Sequence, residues 1–341
     1  MLSVAPFPKP SFDALSPDCI IAAVEGAVGR GASGSLTVYP SYVNRVYGLR
    51  LDDGDEVIAK FYRPGRWERE AILEEHRFLE DCAEAELPVV PPLAMPDGCS
   101  LGELVVEDES GGAEVSFQFS LFPKMGGRNF DAEAQEDWLR LGALLGRLHA
   151  VGVRREATKR LRCRPEELTA PLARLLVGEG LLPKDLAPEF LSLCEGTLSS
   201  IAPCFDGITE LRIHGDCHRG NILDRPGEGL LVIDFDDMMM GPAVQDLWLL
   251  LPDHADACRR ELGLLVEGYE TFHPFDRREL ALVESLRFMR LIYFLAWRAR
   301  QREDFRFRDS FPEWWTEGFW ATELQELRDQ AERAIGGLRR R

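Results

Sequence analysis

The segment His214-Gly215-Asp216-Cys217-His218-Arg219-Gly220-Asn221 places a carboxylate and an amide oxygen five residues apart. A second carboxylate, Asp234, follows thirteen residues later, at the end of the apolar run Leu230-Leu231-Val232-Ile233. Ile222–Leu223 and Leu230–Ile233 can pair as a hairpin around the turn Asp224–Gly229, which brings Asp234 back beside the loop that carries Asp216 and Asn221. Two carboxylates and an amide make a set of hard oxygen groups suited to Mg²⁺ riding on substrate phosphates. Phosphoryl transfer from ATP needs this division of labour: Asp216 receives the proton of the attacking hydroxyl, while Asn221 and Asp234 hold metal on the β- and γ-phosphates.

The same spacing reads H-x-D-x-x-x-x-N, and Asp234-Phe235-Asp236 stands where protein kinases carry D-F-G, without the glycine. A lone motif of this length arises by chance, so its partners matter. Upstream, Val57-Ile58-Ala59-Lys60-Phe61 is a strand whose Lys60 fills the place of the nucleotide-binding lysine. Glu75, fifteen residues on in the following helix, can pair with it; Glu74 is the rival. No G-x-G-x-x-G lies between the first two expected strands. Ser41-Tyr42-Val43-Asn44-Arg45-Val46 lies where that loop belongs, so the Ser41 hydroxyl and nearby backbone amides have to cap the phosphates.

These groups must be positioned by two kinds of scaffold. Ser16-Pro17-Asp18 signals a helix start. Strands are expected at 36–39, 43–51 and 57–62, the last two joined by Asp52-Asp53-Gly54-Asp55. A helix spans 66–84 by its period, and further strands are expected at 93–95, 102–106 and 115–122, with a turn at 107–112. From Pro123-Lys124-Met125-Gly126-Gly127 onward the pattern is helical: 133–151, 165–178, 186–201, 243–251, 256–272, 276–302 and 313–335, interrupted by β-like 211–237. The expected fold class is α+β, two-lobed and protein-kinase-like. A five-stranded antiparallel sheet lobe covers 1–122 and a hinge 123–127. A helical lobe covers 128–341, with the loop 214–221 and the metal-binding strand end 230–237. A cleft between lobes is where small ligands usually sit.

Composition bounds the partners. The 341 residues carry 40 Lys+Arg against 58 Asp+Glu, a net charge of −18, which disfavours nucleic acid and anionic lipid surfaces as partners. No apolar run approaches the roughly 20 residues that cross a bilayer, and the Pro6, Pro8 and Pro10 start has no signal-peptide pattern. The eight cysteines are scattered without a CxxC pair, as in a reduced cytoplasmic protein. A monomeric, soluble, intracellular protein is expected.

His214-Gly215-Asp216-x-x-x-x-Asn221 with Ile233-Asp234-Phe235-x-Asp237 resembles the aminoglycoside and choline kinase-like phosphotransferases. Longer stretches resemble one bacterial group, the stress response kinase A family of Ser/Thr protein kinases. They include Ser41-Tyr42-x-Asn44-Arg45-Val46-Tyr47, Lys60-Phe61-Tyr62-Arg63-Pro64-x-Arg66-Trp67, Gly241-Pro242-Ala243-Val244-Gln245-Asp246-Leu247-Trp248 and Met289-Arg290-x-Ile292-Tyr293. The resemblance covers about 16–320. It implies Asp216 as proton acceptor, Asn221 and Asp234 as Mg²⁺ ligands, Asp234 also counted as catalytic, and Ser41 at ATP with Lys60 and Glu75. Glu75 is preferred over Glu74 because its distance to Pro88-Val89 suits the family pattern. The implied activity is transfer of the ATP γ-phosphoryl group to Ser/Thr hydroxyls of proteins in a stress response; autophosphorylation stays open. The competing readings are a small-molecule kinase for an amino alcohol, homoserine-like compound or aminoglycoside, and a nucleotide-binding pseudokinase.

Plainer roles stand beside these. Glu74 reads as a surface residue, His149 as a packing histidine, His214 as a loop-orienting group and Cys217 as a small buried filler. A zinc reading of His214 and His218 lacks a third ligand. Asp236 and Asp237 either touch a second metal or cap the next segment, and Asp246 fastens the active loop. The basic residues 154, 155, 159, 160, 162 and 164 read as a solvated face or a guide for acidic substrates. The aromatic residues between 305 and 320 read as core under a long loop.

Overall fold

The computed structural model describes residues 12–41, 43–107, 114–302, 307, 314 and 316–338. The prolines near the start, Tyr42, most of the 107–112 turn, and Phe305, Phe311 and Trp315 lie outside the described residues.

The N-lobe is a five-stranded antiparallel sheet of β1 (Ala32–Tyr39), β2 (Arg45–Leu51), β3 (Glu56–Phe61), β4 (Gly102–Glu107) and β5 (Glu114–Pro123), in the order β1-β2-β3-β5-β4. Side chains alternate between the two faces of a strand. Val57, Ala59 and Phe61 of β3 therefore join Phe117, Phe119 and Leu121 of β5 in a core under α1 (Pro17–Val28), which supplies Ile20 and Val24. Ile58 and Lys60 fall on the opposite face. The helix α1 begins where expected, with the Ser16 hydroxyl accepting from the Cys19 amide. The second helix, α2 (Arg69–Glu84), starts three residues later than its period suggests, because Pro64 and Gly65 (φ +76°) form a turn closed by the Arg66 amide on the Arg63 carbonyl. Residues 93–95 are not a strand. Leu93 donates one bond to the Leu121 carbonyl, and the flanking Pro91, Pro92 and Pro96 lack the donors that a ladder needs.

The C-lobe is helical: α3 (Gln135–Gly152), α4 (Ala170–Gly178), α5 (Ala187–Ile201), α6 (Val244–Trp248), α7 (Arg259–Tyr269), α8 (Val283–Gln301) and α9 (Glu317–Leu338). Its core gathers Leu141, Leu145, Phe190, Phe288 and Ile292. The helices α3 and α7 pack backbone to backbone, since a Cβ on Gly142 or Gly146 would collide with carbonyls of Leu265 and Tyr269. The β-like interruption comprises β7 (Leu211–Ile213), β8 (Ile222–Arg225), β9 (Gly229–Val232) and β10 (Met239–Gly241). The expected hairpin is present: β8 pairs with β9 with Ile222 opposite Val232, and the short β6 (Arg128–Asn129) adds to its outer edge. The segment 276–302 opens as a 3₁₀ turn (Arg277–Leu282) before α8. Among the described residues no helix is long and apolar enough to cross a membrane.

One buried acid in this frame gives a pH prediction. Glu279 accepts a bond from the Val244 amide that opens α6, and burial pushes its pKa up to about 7. Below its ordinary value the group is neutral in both the folded and unfolded chains. As pH rises from about 4.5 through about 7 the unfolded chain ionises first, so stability is lost, by up to about 3 kcal/mol. Denaturant titrations of Glu279→Gln and wild type at pH 5 and pH 8 should show the variant gaining relative stability at the higher pH. A difference independent of pH would contradict this.

Candidate active site

Lys60 reaches the inter-lobe cleft with 10% of its side chain exposed. Its Nζ lies 3.1 Å from Asp236 Oδ1, 3.6 Å from Glu75 Oε1 and 3.6 Å from Asp234 Oδ1. Burial opposes the ammonium charge, yet Asp236 and Glu75 hold the lysine pKa well above its ordinary value. Glu75 is the paired acid of α2. Its second oxygen takes 2.6 Å from Arg160, whose guanidinium also donates to the carbonyls of Ala71 and Asp236 and lies over the Trp67 ring. Glu74 does more than face solvent: its carboxylate receives the Thr158 and Lys159 amides, and so ties α2 to the same C-lobe segment.

Asp236 is buried among cations. It takes Lys60, Arg66 at 2.9 Å and the Asn44 amide at 3.1 Å; burial opposes its charge, but these cations hold its carboxyl far below the usual range. Asp237 accepts from Arg66 at 2.7 Å and from the Tyr293 hydroxyl at 2.6 Å. Both acids therefore serve as internal counter-ions. Asp234 differs. Its side chain is 56% exposed, and its backbone is left-handed (φ 63°, ψ 69°), a conformation that costs a non-glycine residue on the order of 1–3 kcal/mol and recurs at functional sites.

The loop 214–221 is held from behind. Both oxygens of Asp246 are committed, one to the Gly215 amide and the other to the His214 amide and His149, whose other ring nitrogen meets the Tyr269 hydroxyl. His149 is thus a packing group and Asp246 the fastener, as expected. His214 Nδ1 accepts from the Asp216 amide, which leaves Nε2–H to donate to the Ile233 carbonyl. Gln245 donates to the Gly215 carbonyl. Asn221 is brought beside Asp234 because its carbonyl accepts the Ile233 amide, continuing the β8–β9 ladder by one rung. Its side-chain nitrogen donates to the Asp216 carbonyl at 2.9 Å, so its oxygen is the atom left to meet a ligand. Asp216 Oδ1 takes Arg290 at 2.5 Å; burial pushes its carboxyl above the ordinary aspartate range while Arg290 pulls the other way.

A cleft of about 350 Å³ lies between the lobes. Its walls include Val46, Ile58, Leu79, Phe122, Leu223 and Val232, and Ser41, Lys60, Glu75 and Asp234 line it as polar groups. Asp216 and Asn221 sit on the adjoining loop, outside this lining. Among the described residues no three His, Cys, Asp or Glu side chains form a metal cage. The donors present, an amide oxygen and an exposed carboxylate, fit a hard cation that brings phosphate oxygens with it.

Sequence reasoning gave Asn44, Arg66 and Arg290 no individual role, and it read Arg160 as one of a solvated or substrate-guiding basic run, whereas the structure buries Arg160 against Glu75. Arg290 carried a signal: it falls on the apolar stripe of Leu286, Met289 and Tyr293, where a cation needs a partner. Arg160 carried none within a basic run whose other members do not share one solvated face. Arg162 and Arg164 both pair with Glu210.

An antiparallel sheet lobe over a helical lobe, with lysine, glutamate and aspartates at the cleft between them, defines a kinase-like phosphotransferase. The chain belongs to the APH phosphotransferase enzyme family, whose model matches residues 35–283. It is 36% identical over 323 residues to Stress response kinase A of Escherichia coli strain K12, covering 94% of each chain. To the Serine/threonine protein kinase RdoA of Salmonella typhimurium strain LT2 it is 36% identical over 322 residues, again 94% of each. Two solved structures share the fold: amicoumacin kinase hAmiN, in complex with AMP-PNP, Ca²⁺ and Ami (TM-score 0.72, 17% identity, 94% of both chains), and a microcompartment-associated aminopropanol kinase (TM-score 0.66, 18% identity, 94% and 96%).

Proposed function

We propose that this protein is an ATP- and Mg²⁺-dependent kinase that phosphorylates Ser/Thr hydroxyls of proteins. The observation that carries the kinase reading is Lys60 set among Glu75, Asp234 and Asp236 at the mouth of an apolar-walled cleft. The protein-substrate reading is supported by the names of relatives that match the chain along nearly its whole length. In this assignment the apolar walls receive the adenine, and Ser41 with its neighbouring amides caps the phosphates. Lys60 exchanges part of its carboxylate company for non-reacting phosphate oxygens, held in place by Glu75 and Arg160. Asn221 and Asp234 would hold Mg²⁺, which neutralises charge on the β- and γ-phosphates when bound. Asp216 takes the hydroxyl proton as the oxygen bonds to the γ-phosphorus, and the bond to the β-phosphate oxygen breaks to release ADP. Positioning and charge complementarity supply most of the rate.

The fold neighbours named as amicoumacin and aminopropanol kinases support a second reading, a small-molecule kinase for an amino alcohol, homoserine-like compound or aminoglycoside. Purified protein incubated with γ-labelled ATP alone, with a generic basic protein and with a metabolite panel separates the two. Label on polypeptide Ser/Thr is expected. Label confined to small molecules would move the assignment to the second reading, and nucleotide bound without turnover would make the chain a pseudokinase.

A further inference from the structure

Asp216 offers two oxygens, and the structure treats them differently. Oδ1 accepts a charge-assisted bond from Arg290 Nη2 at 2.5 Å. Among the described residues Oδ2 has only the longer approach of His218 Nε2, at 3.7 Å. Arg290 sits over the Tyr293 ring, 5.6 Å from its centroid, and the Tyr293 hydroxyl donates to Asp237. Asp237 in turn takes Arg66, Arg66 reaches Asp236, and Asp236 meets Lys60. Contacts therefore run without a break from the loop carboxylate to the lysine of the cleft.

We infer that Arg290 is a positioning residue: it occupies Oδ1 of Asp216, so that Oδ2 is the oxygen presented to the acceptor hydroxyl, and the Tyr293–Asp237–Arg66 chain keeps that carboxylate in register with Lys60. The inference rests on Asp216 being the proton acceptor. In the step, the hydroxyl oxygen forms its bond to the γ-phosphorus and its proton passes to Oδ2. The electron pair of the breaking bond leaves with ADP. A carboxylate free to rotate would misplace Oδ2, and a misplacement of about 1 Å can cost on the order of 100-fold in rate. A lysine ammonium, as a point charge, does not fix the carboxylate plane as the planar guanidinium does.

The test uses full-length protein, labelled ATP, and histone as the acceptor. Rates are compared for wild type, Arg290→Gln, Arg290→Lys, Arg290→Ala with added guanidinium, Asp216→Asn and the Arg290→Gln/Asp216→Asn double variant. Arg290→Gln should lower kcat by about 10- to 100-fold with the KM for ATP nearly unchanged. Lysine should fail to restore the rate, and guanidinium should recover part of it in Arg290→Ala. The double variant should be no slower than Asp216→Asn alone, because a loss acting through Asp216 is not additive with it. Wild-type kcat in Arg290→Gln, full additivity in the double variant, or a change in ATP KM alone would overturn the inference. Wild-type turnover in Asp216→Asn is a separate outcome: it removes the proton-acceptor assignment itself.

Discussion

Asp216→Asn should lower turnover by about 10²–10⁴-fold, the usual contribution of a positioned general base, while leaving nucleotide binding intact. Asparagine keeps the size of the side chain and one oxygen that can still accept from Arg290, so the loop and the Arg290–Tyr293 stack lose little. The carboxylate that takes the proton is gone. The lysine cluster and the apolar cleft do not involve this side chain, so a fluorescent ATP analogue should bind the variant as it binds wild type. Initial rates with labelled ATP measure the first effect and analogue titration the second. Wild-type turnover would remove Asp216 from the chemistry.

Arg160→Met should strongly destabilise the fold while leaving every proposed ligand of ATP and metal in place. Arg160 is 5% exposed and joins three parts: the Glu75 carboxylate, the Ala71 carbonyl of α2, and the Asp236 carbonyl. Removing Arg160 leaves the buried Glu75 carboxylate with Lys60, at 3.6 Å, as its remaining cation, and breaking a buried pair costs up to about 3–5 kcal/mol. The Asp236 carbonyl also loses its donor, and the Ala71 carbonyl loses the one of its donors that comes from the C-lobe. Lys60 then competes alone for Glu75, and its position for phosphate loosens. Denaturant unfolding should show the stability loss, and kinetics on the folded fraction should show a raised KM for ATP. A loss below about 1 kcal/mol with unchanged kinetics would mean that Glu75 is held adequately by Lys60.

Much of this arrangement was legible in the chain because its signals are local. The apolar run Val57-Ile58-Ala59-Lys60-Phe61 gave the strand that carries Lys60, and the apolar segments on either side of Asp224–Gly229 gave the hairpin that returns Asp234 towards Asn221. Residues 93–95 misled because an apolar triplet satisfies the strand pattern while the surrounding prolines forbid the ladder. The missing part was long-range. That Arg160 would leave its basic neighbours and enter the core beside Glu75, 85 positions away, is decided by how α2 packs on the C-lobe, which no period records. The same holds for Asp236 and Asp237. Adjacent acids after a strand suit a metal equally well, and only the folded positions of Lys60, Arg66, Asn44 and Tyr293 show that both carboxylates already have internal partners.

The central claim is that the cleft receives a triphosphate whose terminal phosphoryl group faces the loop of Asp216. A crystal structure of the protein with a non-hydrolysable ATP analogue and Mg²⁺ tests it most directly. The account predicts adenine against the apolar walls, phosphates between Ser41 and Lys60, the cation on Asn221 and Asp234, and the γ-phosphate turned towards Asp216 Oδ2. An analogue bound elsewhere, or with its γ-phosphate directed away from Asp216, would contradict it.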